Sequence, residues 1–297
     1  MASSSYYEPT GENTWRPTEH VQGAWNAHEQ HMAPVAGLIA HALETHAPRP
    51  DLRIGRITYE ILGLMPLEET RITCRTVRPG RTIELVEAEM TTVSSPDRPV
   101  VRASAWRLAV GDTAAIAGNL PAPMPGPAEI AADPSPEATV LMQRLASWPG
   151  GFIRSLQAHV TPAPATEPGV ERRLAWLCSD TTLLPATPDG GSGASEFANF
   201  LRLVDTANGI AARVDPREWL FPNTDLTVHL WRTPAGPWVG LDTSATLGPD
   251  GVGVTQTVLH DEQGPVGRAA QVLTIRPIPT GAPAGSGHQQ PGDDRRQ

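Results

Sequence analysis

Two stretches near the ends of the two halves of this chain follow one pattern. Pro99-Val100-Val101-Arg102-Ala103-Ser104-Ala105-Trp106 is matched by Pro265-Val266-Gly267-Arg268-Ala269-Ala270-Gln271-Val272. Each stretch closes a longer block that reads as several strands. The repeat therefore predicts two related modules in one chain. The one sharp change within it is Ala105 in the first copy and Gln271 in the second. An amide in a strand of small and apolar residues needs a hydrogen-bond partner if it is buried.

The elements around the repeat fall in the same order twice. Residues 34–44 are rich in Ala and Leu and apolar nearly all round, which predicts a buried helix. Strands are predicted over 56–62, 70–78, 82–92 and 100–108, with Pro79-Gly80 turning the chain between the second and third. Residues 110–137 shift to Ala, Pro, Gly and Asp, the composition of a linker, with a short helix allowed near 128–132. The second half opens with strand patterns at 152–160 and 171–179. A Gly/Ser loop at 188–195 then leads into a helix over 196–213. Strands follow at 225–232, 238–246, 253–261 and 265–276. A helix followed by a meandering antiparallel sheet buries its apolar surface on one sheet face, giving an α+β fold. The expected division is a first module over 1–109 with a polar lead-in, a linker at 110–137, a second module over 138–279 and a disordered tail at 280–297.

Bulk properties narrow the function. The 297 residues suffice for two ordinary domains, and the net charge of -9 argues against nucleic acid or an anionic membrane as partner. No stretch approaches a membrane span, and the first residues lack the pattern of a secretory leader, so a cytoplasmic location is expected. Cys74 and Cys178 lie in apolar strand patterns without metal spacing, which predicts inert thiols. His28 and His31 flank Glu29 and Gln30 but do not form a metal motif. Capping and packing at a helix start is their expected role, and neither a metal nor a cofactor is called for.

In the first half, Gly23-Ala24-Trp25, the helix after it and Val77-Arg78-Pro79-Gly80-Arg81-Thr82 carry a family likeness. In the second half, Leu203 to Gly209, Asn223 to Leu230, Gly236-Pro237-Trp238 and Ala269-Ala270-Gln271 carry it. With these pieces in this order, the chain resembles the TesB-like acyl-CoA thioesterases from about Gly23 to Pro277. The resemblance implies a double hotdog: two fused modules, each a long central helix wrapped by a curved antiparallel sheet. It also implies a site made of an Asp on the second helix, a hydroxyl residue at the start of the next strand and a Gln on the last strand. Asp205 and Gln271 fill two of these places. The hydroxyl position falls on Asn223, with Thr224 beside it, so either Asn223 takes over the hydrogen bonding or Thr224 supplies the hydroxyl after a small shift.

Each of these residues also has an ordinary reading. Asp205 could sit on a solvent-facing stripe, paired with Arg202 three residues earlier. Arg78 and Arg81 could face the phosphates of a CoA-type carrier, or pair with Glu84 or Glu87 across a hairpin. The expected activity is hydrolysis of acyl thioesters, on CoA or on an acyl-carrier protein, by a water that a carboxylate deprotonates and an amide positions. There is no GxSxG and hence no support for an acyl-serine route. Two other outcomes stay open: a hydratase, dehydratase or biosynthetic acyl-processing enzyme on the same fold, and a non-catalytic acyl-binding module. Hotdog hydratases resemble one another in a paired Asp and His, and no His follows Asp205 in that manner. A homodimer is the expected assembly.

Overall fold

The computed structural model describes residues 5–132, 136, 139, 143, 148, 150–163, 169–188, 190, 191 and 193–278. The expected tail at 280–297 lies outside them, as do parts of the expected linker. The strands in chain order are β1 (Tyr7–Gly11), β2 (Thr14–Pro17), β3 (Leu52–Ile61), β4 (Thr70–Arg78), β5 (Ile83–Thr92), β6 (Val101–Ala109) and β7 (Gln157–Ala163). They continue with β8 (Arg172–Cys178), β9 (Trp219–Leu220), β10 (Asp225–Leu230), β11 (Val239–Leu247), β12 (Val252–Asp261), β13 (Gly264–Thr274) and β14 (Arg276–Pro277). The described α-helices are α1 (Met32–Thr45), α2 (Pro127–Ala132), α3 (Gly151–Arg154), α4 (Glu196–Val204) and α5 (Ala207–Ile210). Among the described residues one sheet runs in the order β1-β2-β4-β5-β6-β3-β10-β13-β12-β11-β8-β7, and β14 and β9 form a separate pair.

The halves join where β3 lies antiparallel to β10, with Thr58 opposite Thr227. Joining there leaves neither half with an open inner edge. The registers on either side bear out the repeat. Thr58 faces Ser104 of β6, and Thr227 faces Ala270 of β13, so Ser104 and Ala270 occupy related places. Ala105 and Gln271, one residue further on, are then related as well. Thr58 and Thr227 meet at their hydroxyls, 3.3 Å apart, near the axis that relates the halves.

The two long helices run side by side against this sheet. α1 is buried from Met32 to Leu43 except at His41, as its apolar composition demands. It packs on α4 through Gly37. A Cβ added at Gly37 would sit 2.7 Å from Arg202 Cβ and 2.8 Å from the Ala198 carbonyl oxygen. Only a residue without a side chain allows this approach. Gly37→Val is therefore expected to cost about 1–3 kcal/mol of stability, the usual penalty for overpacking. Urea unfolding measures it, and an unchanged midpoint would show that the helices have room to spare.

Three expectations need correction. The lead-in contains β1 and β2, and Tyr6 and Tyr7 are fully buried. Their hydroxyls find partners at Ser155, Ser179 and Gln30, so aromatic bulk enters the core without an unpaired polar group. The strand expected at 152–160 begins instead with α3, and β7 follows it. Gly151 lies so close to Glu19 that a Cβ would collide with its carbonyl oxygen, so this tight approach shapes the segment. Finally, the helix expected over 196–213 breaks between α4 and α5 and ends at Ile210. Asp205 and Thr206 stand in the break, and both residue types compete with helical hydrogen bonding. The joining stretch is irregular over 117–126, with α2 after it. It is tied down by Trp176 Nε1 donating to the Pro125 carbonyl and by Ile130 packing on Leu174 and Trp176.

Candidate active site

The helix break puts a carboxylate inside the protein. Asp205 is the C-cap of α4 and only 2% exposed. It is not paired with Arg202. That guanidinium donates to the carbonyls of Asn199 and Ser179 and lies over the Tyr6 ring. The Asp205 Oδ1 atom accepts two hydrogen bonds instead. Asn223 Nδ2 donates at 2.7 Å and Gln271 Nε2 at 2.8 Å. A carboxylate only accepts, which sets both amides with their NH2 groups inward. Oδ2 has no donor among the described residues.

Both amides are held by neighbouring backbone. Gln271 stands in β13 opposite Thr255 of β12. Asn223 bridges to Leu273 just ahead of β10, and its Nδ2 also donates to the Asp225 carbonyl. Its Oδ1 accepts from Asn208 Nδ2 at 3.4 Å. Asn208 lies three residues after Asp205, a helical spacing that could have marked it from sequence. Thr224 is exposed, and its backbone links β3 to β13 through Ile61 and Val272. The structure thus brings together Asp205, Gln271 and Asn223, and turns Thr224 away.

Burial pushes the Asp205 carboxyl up from 3.8 to about 7. The two amide donors oppose this shift, and the nearby Asp225 carboxylate adds to it. The Gln271 Oε1 atom is buried without a partner among the described residues, as are the hydroxyls of Thr206 and Thr255. A buried acceptor left open beside a carboxylate is a place where a water can be held.

Asp205 and Asn223 line a cavity of about 160 Å³ that also meets the start of α1 at His31 and Met32. His31 caps that helix: its Nδ1 accepts from the Ala33 N–H, so Nε2 carries the proton in the neutral ring. Burial pulls its pKa down to about 3, and the ring lies 4.2 Å from that of Phe152. The role expected for His31, capping and packing, is what it performs. Burial also raises both thiols, Cys74 to about 11, in line with inert cysteines.

Arg78 and Arg81 are not brought to this cavity. Arg78 donates to the Ile83 carbonyl and lies over Trp106, while Glu84 pairs with Arg107 and Glu87 with Arg75. Arg81 is exposed in the turn between β4 and β5, where Arg49 holds its carbonyl just beyond the C-terminal end of α1. The cavity opens at the other end of that helix, about 20 Å away for 14 residues.

Comparison with known proteins agrees with this architecture. The profile of the acyl-CoA thioesterase N-terminal domain matches residues 21–108, and that of the C-terminal domain matches 127–275. No curated protein sequence matches the chain. Among solved structures, an acyl-CoA thioesterase II from Mycobacterium marinum superposes with a TM-score of 0.60 at 15% identity, over 93% of this chain and 96% of its own. A hot dog fold protein of unknown function from Alicyclobacillus acidocaldarius gives 0.67 at 13% identity, over 94% and 97%. At such identities these likenesses speak for the fold, a double hotdog. Among the described residues no helix is long and apolar enough to cross a membrane. The two profile matches span most of the sequence, and the chain belongs to the TesB-like acyl-CoA thioesterase family of hydrolases.

Proposed function

We propose that this hydrolase cleaves acyl-CoA thioesters with Asp205 as general base, Gln271 and Asn223 as its positioning amides, and one site per chain. The single observation that carries the reading is the buried Asp205 carboxylate accepting from Asn223 and Gln271 at the wall of a cavity. A water accepted by Gln271 Oε1 gives its proton to Asp205 and attacks the thioester carbonyl carbon. A C–O bond forms, the C–S bond breaks, and the proton held by Asp205 passes to the departing thiolate. A carboxyl titrating near 7 suits both halves of this transfer. The carbonyl oxygen is best served at the start of α1, where first-turn N–H groups have no helical partner. There Ala33 N–H is used by His31 and Pro34 has none, which leaves Met32 N–H as the donor.

The related place in the first half supports a single site. Ala105 stands where Gln271 would be. A second cavity of about 290 Å³ lies by the end of α1 and the start of α4, with Glu44, Arg107 and Phe197 among its residues. Glu44 accepts from the Ser195 hydroxyl, and among the described residues no side-chain amide donates to it. The amide partners of Asp205 also favour hydrolysis over a hydratase, whose acid–base work calls for a paired histidine.

The test is release of free thiol from acyl-CoA substrates. kcat/KM should rise with pH through about 7 as Asp205 ionises, then level off. Asn223→Ala should lower activity at neutral pH by roughly tenfold, because loss of a donor to the charged form raises the pKa further. Thr224→Val should stay within about twofold of wild type, as expected for a surface change. The reverse order of these two variants would assign the hydroxyl place to Thr224. No thiol release from any acyl-CoA would favour a binding module.

A further inference from the structure

We infer that this site takes compact acyl groups, of about the size of hexanoyl or phenylacetyl, and that Trp148 closes it against long fatty chains; this rests on Asp205 marking the reacting end of the cavity. Three aromatic rings wall the space beyond Asp205. Trp25 and Phe221 meet edge to face, with centroids 5.2 Å apart and planes at 82°. Trp148 joins them at 5.3 Å from Trp25 and 6.5 Å from Phe221. All three line the same cavity as Asp205 and Asn223.

These rings come from three separate segments, so the wall is built by the fold and not by a local motif. Trp25 follows Gly23-Ala24 before α1. Phe221 stands two residues ahead of Asn223, a spacing that sends both side chains to one side of an extended chain. Trp148 belongs to the stretch joining the halves. Its ring lies over Gly209 of α5, where a Cβ would come within 3.5 Å of it. Gly209 leaves the ring room to settle on the helix that follows Asp205.

Size sets the substrate class. The cavity measures about 160 Å³. An apolar cavity of about 150 Å³ accommodates one benzene ring. The carbonyl must itself lie beside Asp205, so an acyl group of about six carbons, carbonyl included, fills the space, and a sixteen-carbon chain does not fit unless the aromatic wall opens. The tilted and edge-on rings offer faces and edges to an aryl group as well as to methylenes. Ile61 and Met65 extend the apolar side of the lining, while Asn26, Glu29 and Gln30 give it a polar edge.

The experiment compares kcat/KM for hexanoyl-, phenylacetyl- and palmitoyl-CoA, the last kept below micelle concentrations, using the full chain. Wild type should prefer hexanoyl or phenylacetyl over palmitoyl by at least about tenfold, and Trp148→Ala should move that ratio towards palmitoyl by a similar factor. Trp148→Leu replaces the alanine variant if the latter does not fold. Equal rates on hexanoyl and palmitoyl in wild type, or a ratio unmoved by the folded Trp148 variant, would overturn the inference. Asp205→Asn on the same substrates separates the two readings. If it silences all of them while the chain-length ratio is flat, the site stands and the size limit falls. If it silences none, the site assignment fails and takes the size limit with it.

Discussion

Asp205→Asn is expected to lower turnover by roughly 10²–10⁴, the usual weight of a positioned base, with the fold intact. The substitution keeps the shape and removes the group that takes the proton. It also removes a buried charge, and this gives a second readout. The folded pKa of Asp205 is raised, to about 7, by burial. A raised acid favours the folded state through its proton. That contribution is fully present below the unfolded value, near 4, and is lost as pH rises through about 7. Wild type should therefore lose stability relative to Asp205→Asn between about pH 4 and 7, with the gap constant above that. Kinetics and thermal unfolding across this range check both halves. An Asn variant as active as wild type would end the assignment. An unchanged stability gap would show that the carboxylate is better solvated than its burial indicates.

Much of this site was legible in the sequence because its residues break their surroundings. Gln271 interrupts a strand that repeats Ala105 elsewhere, and Asp205 interrupts an apolar run. What was not legible is direction. Asn223 and Thr224 are adjacent on an extended chain, so one points in and the other out. Nothing local says which; the bridge from Asn223 to Leu273 decides it, and that contact joins neighbouring strands far apart in sequence. The same limit hid the helix break at Asp205. Continuous apolar periodicity through residue 213 favoured one helix, whereas burial of the carboxylate against Asn223 and Gln271 goes with a cap at that point.

The fold followed the same rule. The central strands and α1 were readable from period and apolar content. The first two strands were not, because Tyr6 and Tyr7 look polar until their distant hydroxyl partners are known. Trp148 was invisible as a wall for a similar reason. Its neighbours Trp25 and Phe221 come from opposite halves of the chain.

Gln271→Ala should lower turnover by roughly 10²-fold, comparable to the loss of one positioned polar group at a reacting centre. Two effects add up in that loss. Asp205 Oδ1 loses a donor and its pKa climbs, so less base is ionised at neutral pH. The water also loses the acceptor at Oε1 that would hold it on line. The first effect disappears at high pH, and the second persists. A Gln271→Ala profile that recovers fully above pH 9 would assign the residue to tuning alone. In combination with Asp205→Asn, the second substitution should add little, because both residues act on one water. Full additivity would mean that Gln271 serves another step, such as holding the acyl carbonyl. Gln271→Glu sharpens the distinction. It preserves length and hydrogen-bonding reach but places a second carboxyl 2.8 Å from Asp205 Oδ1. Two carboxyls so close share one proton, so the pH at which activity appears should move upward.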